Sequence, residues 1–337
     1  MSGAVLTSSE LAQTGDFLRA QQESSGFIPW FVGGHGDPWN HVEAAMALSV
    51  LGDLDSASRA YEWMARHQLG EGAWFNYYRG DAVENPRLDT NVSAYVAVGV
   101  FLFAVVSEDR SATARWWPMV DRALDFALSL QRPDGAIRWS LDSRGRAESD
   151  ALLTGCSSLL HSLECGVALA ESLGHRRDHW RVGAANLRHA LRGPSEAFAA
   201  KDEFAMDWYY PVLVGALSPE SGRARLNAGR TRFVIEGEGV RCVSSSDWVT
   251  AAETAECALA WTLVGDVEEA RTLLGGTRRH RRLDGSYLTG LVEPGSVSFP
   301  TNECTTYSAA AVVLSNDALS ELSPVRRCFR VGLDLSL

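Results

Sequence analysis

Lysine is nearly missing from this sequence, in which Lys201 is the single lysine among 31 basic residues. Chemistry through a lysine Schiff base would depend on that one residue, and we expect none. Positive charge is also outweighed, because the formal net charge is −11 at pH 7. Nucleic-acid binding relies on Lys and Arg side chains that neutralise phosphates, so we expect no nucleic-acid partner.

Long apolar runs are missing as well. The longest, Val92 to Val106, is interrupted by Ser93, Tyr95 and Gly99, and it falls short of the roughly 18 residues that suggest a membrane span. The first ten residues show no basic segment followed by an apolar run, as a secretory leader would. We therefore expect no membrane span and a cytoplasmic location.

Cysteines are few and scattered. None of the six stands in a C-x-x-C pair, which argues against a structural zinc site and against a disulfide framework. We expect no metal site and no cofactor, and we expect most of the cysteines to be small buried residues.

A short motif recurs at the ends of three predicted helices. Residues 22–28, 68–74 and 131–137 share the pattern Q-x-x-x-G-x-[W/I]. Glycine provides the left-handed turn that ends a helix, and the apolar residue after it folds back onto the helix end. Two later turns, at Gly239 and Gly285, keep only the glycine. The chain is therefore predicted to repeat one helical unit.

Two kinds of helix alternate between these turns. Residues 55–68 are apolar on one face only, as in an outer helix with one side in water, whereas 42–51, 91–106 and 151–170 are apolar almost all round, as in covered inner helices. The predicted outer and inner segments are 8–22 with 38–51, 55–68 with 90–106, 111–131 with 150–173, 177–192 with 207–217, 219–228 with 248–264, and 266–278 with 303–315.

Six such hairpins can bury their inner faces only by closing into a ring. The sequence therefore predicts an all-α fold, an (α/α)6 toroid or six-hairpin barrel, with residues 1–337 as one domain and a C-terminal tail from about 318. The last three hairpins are the weakest, and Phe233 to Val243 can form a local hairpin of strands instead.

The segment Gln68 to Trp74 and its two looser copies resemble the Q-x-x-x-G-x-W repeat of terpenoid cyclases and protein prenyltransferase β subunits. The resemblance implies the toroid fold and an isoprenoid-like substrate. The catalytic motifs of those enzymes are absent: Asp53-Leu-Asp55-Ser56 has too few acids for D-x-D-D, and Ser286 stands where a zinc-binding cysteine would follow Asp284. The same toroid also serves many carbohydrate-active enzymes.

An acid marks the start of each predicted inner helix. Helix capping explains any single one of them, because Asp accepts hydrogen bonds from free backbone N–H groups and suits the helix dipole. In a toroid, however, these six ends converge on one mouth of the cavity, so the acids are also predicted to share a rim. They are Asp37, Asp89, Asp150, Asp207, Asp247 and Glu303.

Aromatic side chains accompany these acids, as expected of a substrate cavity. The predicted substrate-binding residues are Trp39, Asp89, Asn91, Tyr95, Asp150, Asp207, Trp208, Trp248 and Tyr307. Crowded carboxyl groups raise one another's pKa, which allows one to act as an acid and another as a base.

The predicted catalytic acids are Asp247 and Glu253 of the fifth hairpin with Glu303 of the sixth, and Asp37 can face the same group if the ring closes. Asp247 and Glu303 are expected to face each other across the cavity mouth. His41 is a further candidate, although it and Glu43 can instead form a satisfied polar pair.

Three functions compete. The leading hypothesis is acid/base catalysis without a cofactor, by cyclisation, isomerisation, hydration or elimination of an isoprenoid-like molecule. The second is a sugar-active hydrolase, lyase or epimerase, since indole rings stack on sugars and carboxylates bind hydroxyl groups. The third is a binding toroid without catalysis. A small-molecule substrate is expected for either enzyme, and the sequence leaves the oligomeric state open.

Overall fold

The computed structural model describes residues 5–193 and 195–330, and it is built of helix pairs. The outer helices are α1 (Ser8–Gln21), α3 (Leu54–His67), α6 (Arg110–Ser129), α8 (Asp178–Arg192), α10 (Pro219–Phe233) and α12 (Val267–Gly276). The inner helices are α2 (Pro38–Val50), α4 and α5 (Thr90–Ala94 and Val96–Ser107), α7 (Leu153–Ser172), α9 (Ala205–Leu213), α11 (Ala251–Leu263) and α13 (Thr306–Ser320). A short α14 (Val325–Cys328) follows.

The inner helices form a closed ring. Helix α2 packs on α5, α5 on α7, α7 on α9, α9 on α11, α11 on α13, and α13 returns to α2. Most residues of these helices are buried, because neighbours cover them on both sides and the outer helices cover them from behind. The predicted all-α six-hairpin toroid is therefore confirmed.

The repeated glutamine motif holds neighbouring hairpins together. The Gln68 amide donates one hydrogen bond to the Gly72 carbonyl at 2.9 Å and another to the Met119 carbonyl of the next outer helix at 2.8 Å. Gln22 and Gln131 make the same pair of bonds in their own hairpins. The motif is thus a mechanical joint between hairpins.

The same kind of joint closes the ring. The Thr14 hydroxyl of α1 donates to the Gly285 carbonyl of the last turn at 3.0 Å. The Asn316 side chain of α13 accepts hydrogen bonds from the backbone N–H groups of Val5 and Leu6, both at 3.0 Å. The first and sixth hairpins therefore meet as any other neighbours do.

Short antiparallel strands lie at the end of the ring where the inner helices begin. They are β1 (Tyr77–Arg79), β2 (Ala82–Asn85), β3 (Leu88–Asp89), β4 (Ser140–Leu141), β5 (Val234–Ile235), β6 (Gly239–Val240), β7 (Trp248–Thr250), β8 (Gly290–Val292) and β9 (Val297–Ser298). The pairs are β1 with β2, β3 with β4, β5 with β6, and β7 with β8 and β9. The hairpin of strands predicted near Phe233 to Val243 is confirmed as β5 and β6.

Helix α9 begins two residues earlier than predicted, at Ala205, and three predicted inner helices begin later than expected. Helix α11 begins at Ala251 because Trp248 to Thr250 form β7, with Trp248 opposite Val292 of β8. Helix α13 begins at Thr306, and α7 begins at Leu153 after an irregular turn. The acids predicted to start these helices, Asp247, Glu303 and Asp150, therefore cap none of them.

The C-terminal segment and the most apolar helix both belong to the core. Helix α13 runs past the predicted start of the tail, and α14 packs against α5, whereas residues 331–337 lie outside the described residues.

Thr90–Ser107 is long and apolar enough to cross a membrane by composition, yet 83% of it is buried inside the protein. It serves as a core element of the ring.

Candidate active site

A cavity opens at the end of the ring where the inner helices begin. It has two chambers, which meet at Trp39, Met206 and Glu253. The larger, here called the apolar chamber, has a volume of about 340 Å³. The smaller, here called the polar chamber, has a volume of about 200 Å³. Below the polar chamber lies a narrow floor, and Glu43 and Glu256 line both.

Helical spacing brings the acids of the polar chamber to its wall. Asn40 and Glu43 of α2 are three residues apart, as are Glu253 and Glu256 of α11, so each pair lies on one face of its helix. Tyr307 of α13 stands between these two helices, because α13 packs against both α2 and α11. The chamber is thus lined by carboxyl groups from two sides of one tyrosine.

Three carboxyl groups influence the pKa of Tyr307. Burial raises this pKa most, and the negative charges of Glu253, Glu303 and Asp37 raise it further. These three side chains therefore lie within electrostatic reach of the Tyr307 hydroxyl group.

Asp37 caps α2 and is 5% exposed. Its carboxyl group accepts hydrogen bonds from the Asn40 backbone N–H at 3.0 Å, the Asn40 side chain at 2.6 Å and the Trp30 indole at 2.8 Å. Burial raises the pKa of Asp37, and these hydrogen bonds offset only part of the increase. The group is therefore suited to hold a proton and donate it.

Glu253 is the carboxyl-bearing residue that lines both the apolar and the polar chamber. The Thr250 hydroxyl donates a hydrogen bond to it and fixes its position at the start of α11. A carboxyl group between two open chambers can reach both a bound substrate and a water molecule.

The floor has an apolar lining that includes two polar features, which are the buried Glu43 with the partly buried Glu256, and the tyrosines beside them. The Tyr209 hydroxyl donates a hydrogen bond to Glu256, and Tyr95 and Tyr210 complete the wall. Burial, with the charge of Glu253, raises the pKa of Glu256 to about 8. Burial and the charges of neighbouring carboxyl groups, first among them Glu256, also raise the pKa of Glu43 well above its ordinary value.

The apolar chamber has aliphatic, sulfur and aromatic walls. It is lined by Trp39, Val92, Ile137, Trp139, Leu152, Cys156, Leu159, Phe204, Met206 and Cys242, with Asp89, Asn91, Asp207 and Lys201 among the polar lining residues. The Trp139 ring is held from behind by the Arg87 guanidinium group, 4.4 Å from its centre. Such a surface suits a ligand with apolar substituents and a few hydroxyl groups.

Most of the predicted substrate-binding residues lie at the cavity, where their roles remain predictions. Those that line it are Trp39, Asp89, Asn91, Tyr95, Asp207, Trp248 and Tyr307. Of the predicted caps, Asp37 and Asp89 cap their helices, whereas Asp207 lies inside α9 and accepts hydrogen bonds from Thr154 of α7. Asp150 is exposed in the turn before α7 and lines no part of the cavity.

The expected pair of Asp247 and Glu303 does not stand at the centre of the cavity. The Asp247 side chain is 54% exposed and forms an ion pair with Arg241 at 3.0 Å. Glu303 accepts a hydrogen bond from the Thr289 hydroxyl at 3.0 Å. Like Asp37, neither residue is among the side chains that line the chambers or the floor, and their catalytic roles remain predictions.

Trp208 and His41 face away from the cavity. Met206 and Tyr210 of α9 face it, so Trp208, about 200° round the helix from Met206, packs outward and donates to the Arg225 carbonyl. His41 is fully buried behind α2, where its ring nitrogens bond to the backbone of Ile28 and Ala60, both at 3.0 Å. Burial lowers the pKa of His41 to about 4, so it is neutral at pH 7.

Sequence reasoning missed Glu256 and left Glu43 as a structural possibility. The available signal was an acid in a helix that is apolar almost all round, three residues from another site candidate. That signal is ambiguous, because Glu164 in α7 has the same pattern but pairs with Arg188 of an outer helix. Only the rotational position of each helix separates the two cases.

Among the described residues, one cluster has the composition of a metal site. One donor atom from each of His161, Cys165 and Cys328 lies within 4.8 Å of the others, and all three residues are buried. His161 Nε2 is 2.8 Å from the Cys328 carbonyl oxygen, so the ring already has a partner. The cluster is separate from the chambers.

Comparison with known proteins gives one clear relative in sequence. No model of a known protein family matches the chain. The chain is 44% identical to the MMP endo-(1,4)-3-O-methyl-α-D-mannosidase of Mycolicibacterium hassiacum over 331 residues, which cover 98% of this chain and 91% of the relative.

Solved structures with the same fold include several glycosidases. A glycosidase in complex with glucose matches with a TM-score of 0.73 and 16% identity, covering 95% of this chain and all of its own. The GH63 mannosylglycerate hydrolase of Thermus thermophilus matches with a TM-score of 0.67 and 9% identity, covering 91% and 99%. At such low identity these structures establish the fold alone.

Proposed function

The chain belongs to the family of the Mycolicibacterium hassiacum endo-(1,4)-3-O-methyl-α-D-mannosidase, and from that membership we propose that it hydrolyses internal α-1,4 bonds between 3-O-methylated mannosyl units. The protein is thus an enzyme, and the sugar-active alternative fits it. A cytoplasmic location is kept as part of the proposal.

The leading hypothesis of an isoprenoid-converting enzyme is wrong. It is overturned by the 44% identity to a mannosidase over nearly the whole chain. The resemblance through the Q-x-x-x-G-x-W motif led to the wrong substrate because the motif joins hairpins and does not bind substrate. Gln68 uses it to hydrogen-bond its own turn and the next outer helix. A joint of this kind is compatible with any chemistry in the cavity.

The observation that supports this substrate is the combination of apolar surface and hydrogen-bonding side chains in the two chambers. An O-methyl group removed from water in the apolar chamber contributes about 0.8 kcal/mol, about fourfold in affinity. Ring hydroxyl groups need hydrogen-bonding partners when buried, and the polar chamber offers Asn40, Glu43 and Glu256. A methylated sugar chain needs both kinds of surface, and Trp39 and Met206 join them.

For the reaction we assign Asp37 as the acid and Glu253 as the base. The bond between the anomeric carbon and the glycosidic oxygen breaks, its electron pair stays on the oxygen, and Asp37 gives that oxygen a proton. Water attacks the anomeric carbon and gives its proton to Glu253. The raised pKa of Asp37 supports its role as acid, and the access of Glu253 to both chambers supports its role as base.

The placement of the two acids favours inversion at the anomeric carbon. Asp37 begins α2 and Glu253 lies on α11, and α13 packs between these helices. Carboxyl groups from two helices that flank a third leave room for a water molecule, whereas direct attack needs a separation of about 5 Å. We therefore expect the β-anomer as the first product, which proton NMR of a fresh digest detects.

Hydrolysis of an α-1,4-linked 3-O-methylmannose oligosaccharide by the purified protein tests the proposal. New reducing ends from internal cleavage are expected. The same oligosaccharide without methyl groups should be hydrolysed with a kcat/KM lower by about fourfold for each buried methyl. No hydrolysis of the methylated substrate, or faster hydrolysis of the unmethylated one, would overturn the proposed function.

The variants Asp37→Asn and Glu253→Gln test the assigned roles. Each should lower kcat by about a hundredfold or more, because a positioned acid or base contributes on that scale. Asp109→Asn is the matched control, since Asp109 caps the outer helix α6 far from the cavity. Equal turnover by Asp37→Asn and the control would contradict the assignment.

A further inference from the structure

The floor holds two acids that the proposed reaction does not use. Glu43 and Glu256 reach it from α2 and α11. Glu256 lies one helical turn deeper than Glu253, about 4.5 Å along the axis. Burying two carboxyl groups is costly unless something partners them. Their partners therefore indicate what the floor is for.

Glu256 has a protein partner, because the Tyr209 hydroxyl donates to it. Glu43 differs. No group of the described residues donates a hydrogen bond to its carboxyl group, although the residue is only 6% exposed. The Glu43 side chain lines both the polar chamber and the floor, so its free oxygens are directed into the cavity.

Together the two acids can offer a ligand both kinds of hydrogen bond. Burial, and after it the neighbouring carboxyl groups of Glu256, Asp37 and Glu253, favour the neutral form of Glu43. A neutral carboxyl group donates one hydrogen bond and accepts others. Glu256 offers the ligand the oxygen that Tyr209 does not bond. The floor therefore presents a donor and acceptors side by side, which is the pattern that a sugar hydroxyl group matches.

We propose that Glu43 and Glu256, here called the floor pair, bind a free hydroxyl group of the mannosyl unit in the polar chamber and hold that unit against Glu253. The proposal rests on the proposed function. It makes the floor pair specificity-determining, because a methyl ether at the bound position would lose the donated hydrogen bond and would not fit the narrow floor. Methyl groups are then accepted in the apolar chamber and rejected at the floor.

The substrate chemistry narrows the bound group to two candidates. A 1,4-linked, 3-O-methylated mannosyl unit keeps free hydroxyl groups only at carbons 2 and 6. The experiment uses three trisaccharides: the intact one, one with 2-deoxymannose and one with 6-deoxymannose at the unit before the cleaved bond. Each is assayed for kcat and KM with the wild type, Glu43→Gln and Glu256→Gln.

At one of the two positions, removal of the hydroxyl group should lower the wild-type kcat/KM by about tenfold to a hundredfold, the range for a lost hydrogen bond to a carboxyl group. The same removal should cost the Glu→Gln variants less than about threefold, because the partner has already been changed. Equal losses in wild type and variants at both positions would overturn the proposal. Variants with wild-type kcat/KM on the intact substrate would do so as well.

Glu164→Gln is the matched control, since Glu164 is a buried glutamate of an inner helix whose carboxylate pairs with Arg188 instead of lining the cavity. It should respond to the deoxy sugars as the wild type does. Tyr209→Phe keeps both carboxyl groups and loosens Glu256, so it should show a smaller loss of the same kind. If Glu256→Gln fails to fold, Glu43→Gln and Tyr209→Phe decide the outcome.

A failure of the proposed function is recognised separately. If the wild type does not hydrolyse the intact trisaccharide, calorimetric titration with methyl α-D-mannoside measures binding at the floor without turnover. Binding by the wild type that is at least tenfold weaker in Glu43→Gln would support the floor pair, and equal binding by both proteins would overturn it.

Discussion

Tyr307 lines the polar chamber, where burial and then the negative charges of carboxyl groups from the first, fifth and sixth hairpins raise the pKa of its hydroxyl group. The sequence placed acids near this point because Asp is a favoured helix cap, and Asp37 and Asp89 do cap their helices. It could not rank the acids. Their rank depends on which side chains point inward, and for Asp247 a strand and the partner Arg241 direct the side chain outward.

The first prediction compares the loss of turnover on removing the charge of Asp247 or Glu303 with the loss on removing that of Asp37. Asp247→Asn should change kcat by less than about threefold, because it removes a half-exposed ion pair of small energetic value. Glu303→Gln should cost less than about tenfold, since its carboxylate is held by Thr289 on the wall of the polar chamber and does not itself line that chamber. Turnover measured beside Asp37→Asn checks both, and a loss in Asp247→Asn equal to that of Asp37→Asn would restore the original pair.

A second prediction concerns the cap of α4. Burial raises the pKa of Asp89 from 3.8 to about 6. The carboxyl group of the unfolded chain therefore ionises first, and stability that is fully present below about pH 4 is lost as the pH rises through 6. Asn caps about as well as Asp and has no such cost. Thermal unfolding should show Asp89→Asn gaining on the wild type between pH 4 and 7, and a constant difference in Tm across this range would contradict the cause given.

At the scale of helices and strands, the periodicity of apolar residues located both members of every hairpin. The bounds failed where tertiary pairing decides them. The sequence pattern predicts that an inner helix starts at Trp248 to Thr250. The backbone of this segment instead hydrogen-bonds to β8, which lies some 40 residues later in the chain. Strands of two or three residues have too little pattern of their own to be recognised before their partners are known.

The prediction for elements tests the joint between hairpins. Gly72 has φ +99°, and a Cβ atom there would lie 2.2 Å from the Arg122 carbonyl oxygen. Gly72→Ala should therefore lower the free energy of unfolding by about 2 to 4 kcal/mol. The control is Gly70→Ala in the same turn, where nothing lies within 4 Å, and it should change stability by less than about 1 kcal/mol. Denaturant unfolding measures the free energy of unfolding of both variants. Similar values would mean that a Cβ atom at residue 72 does not clash with the Arg122 carbonyl oxygen.

For the whole molecule, the toroid was predictable and the substrate was not. Closure follows from counting covered helices, because an inner helix that is apolar all round must have neighbours on both sides. The choice between isoprenoid and sugar depends on how six helices rotate about their axes. That rotation sets Glu43 and Glu256 in the cavity and turns Glu164 out of it, although all three stand in similar sequence surroundings.

Because Thr14 of the first hairpin is hydrogen-bonded to Gly285 of the last turn, the ring of hairpins is closed and has no free end. Hydrogen bonds join the first and last hairpins, as they join interior neighbours, so the order of the hairpins along the chain does not decide where the ring is closed. A circular permutant with a linker between the two ends of this chain and new ends opened at Gly145, in an exposed turn where an added Cβ atom would meet nothing within 4 Å, would keep the contacts between the described helices. The cavity is formed by the closed ring of hairpins and does not depend on where the ends of the chain lie.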